Sequence, residues 1–429
     1  MNINNGSVII EGMYKHRLLT DRFKRLISYF PAVVVTGARQ VGKSTFVKHV
    51  LGPGADYVLF DPVEDVENAR AEPHLFLNNH QTPLILDEIQ YVPELVPVIK
   101  RRIDANRSPG QYVLTGSQQW SVMKSIAESL AGRAVFLDLN GFSLQEIAQN
   151  RTTSWLERWL DTPTLETLQA TSLIALDHSL YETLWRGFLP EATLMPLDLV
   201  NDFHKAYFRT YIERDARQFA DVSDWQQFSR FMRLVAALTA QEINYSQVGR
   251  DIGLNPQTAK RWLDILKATF QWFEVSAYSN NAIKRVSSKP KGYLSDTGMA
   301  CFSQAISTPG AIAAHPLWGA LFESAVVNEL RKQLGLMKSQ VNMYHWRAYS
   351  GAEVDLILER DGCYYPIEIK ATSAPKRKHT TGISAFRTAY PGLNIASGLV
   401  IGPIEKPMPL SEIDMAMPWH AFLPSPEKQ

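Results

Sequence analysis

A glycine-flanked stretch near the start of the chain has the residue types and spacing of a phosphate-binding loop. GARQVGKS fits the pattern G-x-x-x-x-G-K-[ST] and stands between an apolar run, PAVVV, and a stretch with a helical pattern. The glycines let backbone N–H groups point at phosphates, and the following helix presents its positive end there. The lysine can reach the β- and γ-phosphates, and the serine hydroxyl can bind Mg²⁺. The sequence therefore predicts that ATP is bound by Gly37, Ala38, Arg39, Gln40, Val41, Gly42, Lys43, Ser44 and Thr45.

Two further apolar runs end in polar residues that suit the same chemistry. PLILDEIQ ends in Asp87 and Glu88, at what would be the carboxyl end of a parallel strand, where ligands bind. We expect Asp87 to join Ser44 as a ligand of Mg²⁺, and Glu88 to polarise the attacking water. QYVLTGSQQ ends in side chains suited to sensing the γ-phosphate: Thr115, Ser117 and Gln118.

A second group of candidate residues lies in the stretch GAEVDLILERDGCYYPIEIKAT. Asp361-Gly362 is a strong hairpin signal, so the stretch predicts two paired strands. Glu368 and Lys370 are two residues apart on the second strand and share a face, and Asp355 on the first strand lies within reach of that face.

An acidic residue upstream is placed unusually. HPLWGALFESAVVNELRKQLG predicts an amphipathic helix with Glu323 at the centre of its apolar stripe. A carboxylate there is costly unless it is paired or bound to a metal. Glu329 falls outside the stripe and is expected to be solvated.

Two arginines are candidates for stabilising the transition state of phosphoryl transfer, in their own subunit or in a neighbour. Arg133 precedes the apolar run AVFLDL, and Arg214 lies in YIERDAR. The alternatives are an ordinary surface arginine for Arg133 and a helix ion pair for Arg214.

The motifs of the first third carry a family resemblance. TGARQVGKST, LILDEIQ, LTGSQ and SLAGR, with the later LWRGFLPEA and YFRTYIERDAR, resemble a large bacterial and archaeal ATPase family. Its members join an AAA-type module to a C-terminal domain of unknown function, and the resemblance covers most of the chain. It implies ATP hydrolysis. Arg186-Gly187-Phe188 departs from the paired-glycine-and-proline turn usual in the family, so no function is assigned to that turn.

The helix acid, the strand acid and the Glu-x-Lys pair together resemble the restriction-endonuclease-like core of the PD-(D/E)xK superfamily. The resemblance implies that Asp355 and Glu368 hold Mg²⁺ or Mn²⁺, that Lys370 is the catalytic cation and that Glu323 is the helix acid. Val354 stands where the superfamily's name has proline. The alternative is a surface hairpin with scattered charges.

The elements that position these residues predict a multidomain α/β protein. YVLFDP and RAVFLDLN add two strand candidates that alternate with helical stretches, which is typical of a parallel sheet with flanking helices. The predicted order is an AAA-type P-loop ATPase domain at 1–148, a helical connector or lid at 149–219, a winged-helix-like domain at 220–305 and a restriction-endonuclease-like α/β core at 306–429.

The winged helix-turn-helix prediction depends on the stretch YSQVGRDIGLNPQTAKRWLDILKATFQWFEV. Gly253 marks the turn, and Asn255 with Pro256 marks a helix start. The second helix would present Gln257, Thr258, Lys260 and Arg261 outward, as for entry into a major groove. The next stretch resembles a two-stranded wing that carries Lys284, Arg285, Lys289 and Lys291. The alternative is a module that contacts only protein.

Composition limits the remaining classes. The chain has 429 residues, 44 Lys+Arg against 43 Asp+Glu, and two cysteines. Balanced charge gives no global field for nucleic acid, and so few cysteines fit a reducing compartment. With no signal peptide pattern and no apolar run near the roughly 20 residues that span a bilayer, we expect a cytoplasmic protein with no membrane contact.

Two functions stay open at this point. The first is an ATPase that acts on nucleic acid, DNA rather than RNA, and cleaves it with the C-terminal core. The second is an ATP-driven regulatory switch whose winged-helix and nuclease-like regions only bind a protein or nucleic-acid partner. All four nuclease positions hold chemically competent residues, which favours the first. In both we expect ATP as ligand and assembly into a homo-oligomer.

Overall fold

The strand that leads into the glycine loop lies inside a five-stranded sheet. The computed structural model describes residues 14–60, 66–117, 126, 128–149, 154–212, 225–281, 283, 285 and 288–423. The sheet has the order β2-β3-β4-β1-β5, and every pair in it is parallel. Its strands are β1 (Ala32–Thr36), β2 (Asp56–Leu59), β3 (Leu84–Asp87), β4 (Tyr112–Gly116) and β5 (Ala134–Asp138).

Alternation along β1 explains why this sheet is covered on both faces. Val33 and Val35 pack into one apolar cluster, whereas Ala32 and Val34 pack into another on the opposite face. All five residues of β1 are buried, and each fully buried valine side chain contributes about 1.5–3 kcal/mol. The flanking helices are α1 (Thr20–Ile27), α2 (Lys43–Leu51), α3 (Val66–Ala71), α4 (Pro73–Asn78) and α5 (Leu95–Ala105).

The register of the sheet brings three chain segments to one edge. Thr36 pairs with Gly116 across β1 and β4, and Leu59 pairs with Asp87 across β2 and β3. Because the strands are parallel, the glycine loop, Asp87 and the segment after β4 all leave the sheet at its carboxyl edge. The predicted phosphate site therefore has one common edge.

Short helices follow the sheet, in the stretch predicted as a connector. One helix is capped at Thr162, and a later one begins at Pro190 and is capped at Met195. The helices are α6 (Leu144–Ile147), α7 (Trp155–Asp161), α8 (Leu165–Gln169), α9 (Leu180–Arg186), α10 (Pro190–Leu194) and α11 (Val200–Tyr207), and the short strand β6 (Ser172–Leu173) lies between α8 and α9.

A helix pair with the predicted turn follows. The side-chain oxygen of Asn255 accepts from the N–H of Thr258, and Gly253 has a φ of 72° in the turn. The elements of this region are α12 (Trp225–Ala237), β7 (Gln241–Glu242), α13 (Tyr245–Asp251), α14 (Pro256–Ala268), β8 (Trp272–Ala277) and β9 (Lys291–Leu294).

A mixed sheet of ten strands contains the second group of candidate residues. β8 pairs with β10 and with β9, so the sheet continues across the predicted boundary at 305/306. The remaining elements are α15 (Thr297–Ser303), α16 (Trp318–Leu336), β10 (Asn342–Arg347), β11 (Glu353–Arg360), β12 (Cys363–Ile369), α17 (Thr381–Ala389), β13 (Asn394–Ile395), β14 (Gly398–Gly402), β15 (Met408–Pro409), β16 (Asp414–Pro418) and β17 (Ala421–Phe422).

The β11–β12 turn agrees with the sequence prediction, whereas helix α16 agrees with it only in part. Asp361 and Gly362 have φ values of 53° and 77°, so they form the expected tight turn. Helix α16 is present, but Glu329 is not solvated as expected. Ser324, Asn328 and Glu329 are buried together with the apolar residues. The helix lies between the N-terminal half of the chain and the ten-stranded sheet, so both of its faces are covered.

One apolar cluster connects these parts. It includes Val33 of the parallel sheet, Trp159 of the connector, Trp262 of the helix pair, Leu321 of α16 and Ile367 of β12. The predicted domain boundaries stay predictions, but the core does not divide at them. In the described part of the chain, no helix combines the length and the apolar character needed to cross a bilayer.

Candidate functional site

The glycine loop between β1 and α2 has a backbone that other residue types would strain. Gly37 has a φ of 151°, and a Cβ there would lie 2.1 Å from the carbonyl oxygen of Leu139. Gly42 has a φ of 88° and caps the start of α2, and Gln40 has a φ of 59°. This succession of left-handed residues lets several N–H groups face one concavity, which is a phosphate-binding arrangement.

Lys43 lies against its own loop. Its side chain is buried, and Nζ donates to the carbonyl oxygens of Gly37 at 3.0 Å and Ala38 at 2.9 Å. Phosphate oxygens would offer this ammonium stronger, charge-assisted partners than neutral carbonyls do. Lys43 is therefore held next to the position where a phosphate would bind.

Among the other loop residues, Val41 and Arg39 are held by hydrogen bonds and Thr45 is exposed. The carbonyl oxygen of Val41 accepts from Arg17 at 2.8 Å, and that of Arg39 accepts from the Tyr207 hydroxyl at 3.2 Å. Thr45 is exposed at the start of α2. The loop is thus anchored from the amino-terminal segment and from α11, neither of which the motif itself indicates.

Asp87 and Ser44, the predicted Mg²⁺ ligands, lie close together. Asp87 is fully buried at the end of β3 and accepts hydrogen bonds from the Thr115 hydroxyl and, at 2.5 Å, from the Tyr57 hydroxyl. The Ser44 hydroxyl in turn donates to Tyr57. Burial and then the charge of Asp87 raise the pKa of Tyr57, so this phenol stays protonated.

The carboxylate of Glu88 is oriented by two neighbours. Glu88 has a φ of 59°, and its Oε2 accepts from the Ser117 hydroxyl at 3.2 Å and from the Gln90 side chain. Its N–H donates to the Thr115 hydroxyl at 3.1 Å. Thr115 therefore positions the two acids, and Ser117 positions Glu88. Gln118, the third residue predicted here, lies outside the described residues. Gln90, two residues past Glu88, was not among the predicted site residues.

These residues fit ATP and Mg²⁺. The loop supplies N–H donors and an ammonium, and Ser44 and Asp87 supply the oxygen ligands that Mg²⁺ prefers. Glu88 is partly exposed beside them, where a water could be polarised.

The candidate Arg133 does not lie at this edge. Arg133 lies at the amino end of β5, and its guanidinium forms a two-point ion pair with Asp104, at 2.5 and 3.0 Å. This is the edge opposite the glycine loop, so a role of Arg133 in its own subunit is wrong. A role towards a neighbour stays a prediction, and Arg214 lies outside the described residues.

The second group of residues also converges, at the edge of the ten-stranded sheet. Lys370 Nζ lies 2.7 Å from Glu368 Oε2 and 3.2 Å from Asp355 Oδ2. The N–H of Ile369 donates to the same Asp355 oxygen at 2.9 Å. Asp355 and Glu368 are buried, whereas Lys370 remains partly exposed.

A second lysine completes this group, and it comes from the predicted wing. Lys291 Nζ lies 2.6 Å from Glu323 Oε1 and 3.2 Å from Asp355 Oδ1. Tyr293, two residues along β9, donates to the same Glu323 oxygen at 2.8 Å. Lys291, one of the basic residues of the predicted wing, is thus buried in this group. The alternation Lys-x-Tyr in KGYL was the available signal, since it puts both side chains on one face.

The three acids of this carboxylate–lysine cluster (Lys291, Glu323, Asp355, Glu368 and Lys370) have pKa values that are shifted in different directions. Burial alone would raise the pKa of Asp355, but Lys291 and Lys370 outweigh it and lower the pKa to about 2. Burial and then the charge of Asp355 raise the pKa of Glu368 to about 9 and that of Glu323 to about 7. At neutral pH, Glu368 thus holds a proton and Asp355 is the fixed negative charge.

The cluster does not fit a divalent metal ion. The ammonium of Lys291 lies between Glu323 and Asp355, at the distances of an ion pair, and so takes the position that a shared cation would need. Across the described ranges, no three His, Cys, Asp or Glu side chains are grouped so that they could hold a metal. The structure brings all four predicted nuclease residues together, but around a lysine.

A cleft of about 310 Å³ opens onto this cluster. Its walls come from β7, from the end of β10 and from the start of β11, and its floor is formed by Lys291, Glu323 and Asp355. Lys370 and Glu368 lie on the far side of Asp355, away from the cleft lining.

Other basic residues of the predicted wing are placed differently. The Arg285 guanidinium lies 4.9 Å from the centre of the Tyr278 ring and donates to the Ser279 carbonyl oxygen, so it packs against its own sheet. Lys289 is exposed, and Lys284 lies outside the described residues. On α14, Gln257, Lys260 and Arg261 are exposed as predicted.

Glu329 was expected to be solvated, and this is wrong. It is buried on α16, accepts from the N–H of Leu144 at 3.1 Å and from the Gln333 amide at 3.1 Å. Burial raises the pKa of Glu329 in spite of these donors and of Lys332 nearby.

Three family models match the chain. An AAA domain matches residues 29–148, a domain of unknown function (DUF8612) matches 177–309 and a domain of unknown function (DUF4143) matches 318–422. Uncharacterised proteins of Mycobacterium bovis and Mycobacterium tuberculosis are each 27% identical over 409 residues, which cover 95% of this chain and 84% of theirs.

Two solved structures are similar in part. A Walker-type ATPase of Pyrococcus abyssi has a TM-score of 0.40 at 13% identity, over 69% of this chain and 97% of that one. The Thermotoga maritima RuvB Holliday junction branch migration motor has a TM-score of 0.28 at 13% identity, over 63% and 92%. With the AAA match and the parallel sheet, the chain contains an AAA-type P-loop ATPase domain, which binds ATP, and a C-terminal domain of the DUF4143 kind.

Substitution of Lys43 and of Glu88 should separate nucleotide binding from turnover. Lys43→Ala removes a charge-assisted phosphate contact and should weaken ATP binding by roughly tenfold or more. Glu88→Gln should leave binding intact and slow hydrolysis by roughly 100-fold or more, because it removes the group that polarises water. Equilibrium binding of a fluorescent ATP analogue and phosphate release measure the two effects. Lys24→Ala, an exposed lysine of α1, is the matched control, and wild-type turnover by Glu88→Gln would contradict the role of Glu88.

Glu323→Gln should stabilise the protein, and more so at high pH. The folded-state pKa of Glu323 is about 7 against an ordinary value of 4.5. Between these two pKa values, the folded chain keeps a proton on Glu323 that the unfolded chain has lost. The free energy of unfolding therefore falls as the pH rises through this range. The gain from the substitution should grow by about 2 kcal/mol between pH 5 and pH 8.

Urea unfolding at the two pH values measures this gain. Glu353→Gln, at the exposed mouth of the same cleft, is the control and should show no such growth. An equal effect of Glu323→Gln at pH 5 and pH 8 would mean that the Glu323 carboxylate is not strained by burial.

Proposed function

We propose that this chain is a Mg²⁺-dependent ATPase that works as a switch, in which the nucleotide state of the glycine loop sets the shape of the cleft at Lys291, Glu323 and Asp355. The observation that carries the proposal is the path of α16. Its first half supplies Glu323 to the cleft, and its second half contacts the ATPase domain and the connector.

The contacts in the second half of α16 are numerous and polar. Besides Glu329 on Leu144, Lys332 Nζ donates to the Phe142 carbonyl oxygen at 2.7 Å. Ser154 donates to Gln333 at 2.8 Å. Glu323 and Lys332 are about 14 Å apart along the helix axis at about 1.5 Å per residue. A helix is stiff over this length, so a shift at one end reaches the other.

A second connection begins at the glycine loop itself. Tyr207 donates to the Arg39 carbonyl oxygen, and the Gln271 amide donates to the Tyr207 hydroxyl at 3.0 Å. Gln271 directly precedes β8, the strand that joins the ten-stranded sheet through β10. A change of loop conformation on nucleotide binding would therefore be felt in the sheet that forms the cleft.

The chemistry at the ATPase site follows from the chain's own groups. Lys43 exchanges two loop carbonyls for phosphate oxygens, and Glu88, held by Ser117 and Gln90, polarises the attacking water. Bound Mg²⁺, with Ser44 and Asp87 as its protein ligands, would neutralise charge that develops on the phosphates. Glu88 serves as the base towards this water.

The partner we propose is DNA, bound through the helix pair and the cleft. The second helix of the pair begins at Pro256 and exposes Gln257, Lys260 and Arg261 at its start, as a recognition helix does. A winged-helix character of this region and a restriction-endonuclease-like character of the C-terminal domain belong to the same proposal. Cleavage does not, because Lys291 takes the place of the metal between Glu323 and Asp355.

DNA affinity in different nucleotide states tests the proposal. The Glu88→Gln protein, which should hold ATP, is expected to differ in DNA affinity by at least about fivefold with and without ATP and Mg²⁺, a coupling of about 1 kcal/mol.

Lys260→Ala with Arg261→Ala should lower the slope of log affinity against log salt by about one for each lost phosphate contact. The control is Lys24→Ala with Arg25→Ala, which removes the same charge from two exposed residues of α1.

Two results would contradict the proposal. The first is DNA binding that is absent, or unchanged between nucleotide states, in a protein that hydrolyses ATP. The second is cleavage of plasmid or single-stranded DNA with Mg²⁺ or Mn²⁺ by the wild type that Asp355→Ala abolishes, which would favour a nuclease.

A further inference from the structure

The Tyr57 hydroxyl is bonded to both protein groups that would hold Mg²⁺. It donates to Asp87 Oδ2 at 2.5 Å and accepts from the Ser44 hydroxyl. Asp87 is fully buried, and its other oxygen accepts from the Thr115 hydroxyl. The Tyr57 hydroxyl therefore lies between the Ser44 and Asp87 oxygens, at the position that a cation held by both would take.

Tyr57 comes from a strand that the ATP-binding motifs do not include. It lies on β2, the edge strand of the parallel sheet, next to Ile85 of β3. Its ring is half-buried, and the Lys48 ammonium of α2 lies 3.5 Å from the ring centre. The ring is thus held between the sheet and the helix that follows the glycine loop, and the hydroxyl is directed to the site by this packing.

The side chain of Lys43, like those of Ser44 and Asp87, is already hydrogen-bonded within the chain. Its ammonium is bonded to the carbonyl oxygens of Gly37 and Ala38, within the loop that would receive the phosphates. Both the phosphate-binding cation and the two metal-ligand oxygens therefore have partners from the chain itself. The ATPase site is closed on its own groups in two places.

We propose that Tyr57 is a latch on the metal position, a positioning residue whose hydroxyl must leave Ser44 and Asp87 before Mg²⁺ binds with ATP. The latch rests on the proposed ATPase function and concerns its regulation. It makes Mg²⁺ binding weaker than Ser44 and Asp87 alone would allow, and it couples metal entry to a movement of β2 or of α2 through Lys48.

Mg²⁺ titration of nucleotide affinity tests the latch. A fluorescent ATP analogue is titrated onto the full chain in EDTA and at increasing Mg²⁺, with the wild type and Tyr57→Phe. The variant keeps the ring and its contact with Lys48 but has no hydroxyl. It should reach half-maximal Mg²⁺-dependent affinity at roughly tenfold lower Mg²⁺, since the metal no longer displaces a hydrogen bond to a buried carboxylate. In EDTA, its affinity should equal that of the wild type.

Tyr112→Phe is the matched control. Tyr112 is a buried tyrosine at the amino end of β4 in the same sheet, with its hydroxyl near Arg102 and away from the glycine loop. It should leave the Mg²⁺ dependence unchanged.

The possible outcomes separate the latch from the ATPase function. A Mg²⁺ requirement of Tyr57→Phe that is equal to or higher than that of the wild type overturns the latch. A gain in affinity of the same size in EDTA and in Mg²⁺ also overturns it, since Tyr57 would then oppose the nucleotide and not the metal. If the wild type binds no nucleotide in either condition, the proposed ATPase function fails.

Discussion

Helix α16 must bury charged and polar side chains on every side, and the arrangement of the chain follows from how these groups are satisfied. An unpaired carboxylate or ammonium in the interior costs several kcal/mol, so each requires a partner from another element. Glu323 finds Lys291 and Tyr293 on β9, and Glu329 finds Leu144 of the ATPase domain. Because these partners belong to different parts of the chain, the helix can take only a position that satisfies both ends.

The two candidate sites share a feature that follows from burial. In each one, groups of the chain occupy the positions where ligands would bind. Lys43 bonds to its own loop, and Tyr57 bonds to the side chains proposed to hold Mg²⁺. In the cleft, Lys291 stands between two carboxylates. The first site can exchange these partners for phosphate and metal. In the second, Lys291 is paired with two carboxylates at once, so the cluster favours a structural or partner-binding role over a metal-dependent one.

The sequence predicts the features that local spacing determines. The glycine loop, the acids after β3, the Asp361-Gly362 turn and the helix start at Asn255 each depend on a few neighbouring residues, and the structure has all of them where the pattern places them. The convergence of Asp355, Glu368 and Lys370 was also predictable, because alternation along paired strands fixes the face of each side chain.

What the sequence does not predict depends on pairs that are distant along the chain. Lys291 joins Asp355 across 64 positions, and Glu329 joins Leu144 across 185. Periodicity describes one face of α16 and has no information about a second covered face, so Glu329 was expected in solvent. Tyr57 gave no signal either, since a tyrosine on an edge strand has no motif. Arg133 shows the same limit, because its place before β5 does not indicate which edge of the sheet it occupies.

The central claim is that the ATPase site and the cleft are coupled through α16, and hydrogen–deuterium exchange of the full chain tests it most directly. Exchange is measured for the Glu88→Gln protein with and without ATP and Mg²⁺, with Lys43→Ala as the variant that should not respond. The account predicts that ATP changes the protection of amides in α16 and in β11, outside the glycine loop, in Glu88→Gln only. A change confined to the glycine loop and its neighbouring strands, with α16 and β11 unaffected, would contradict the coupling.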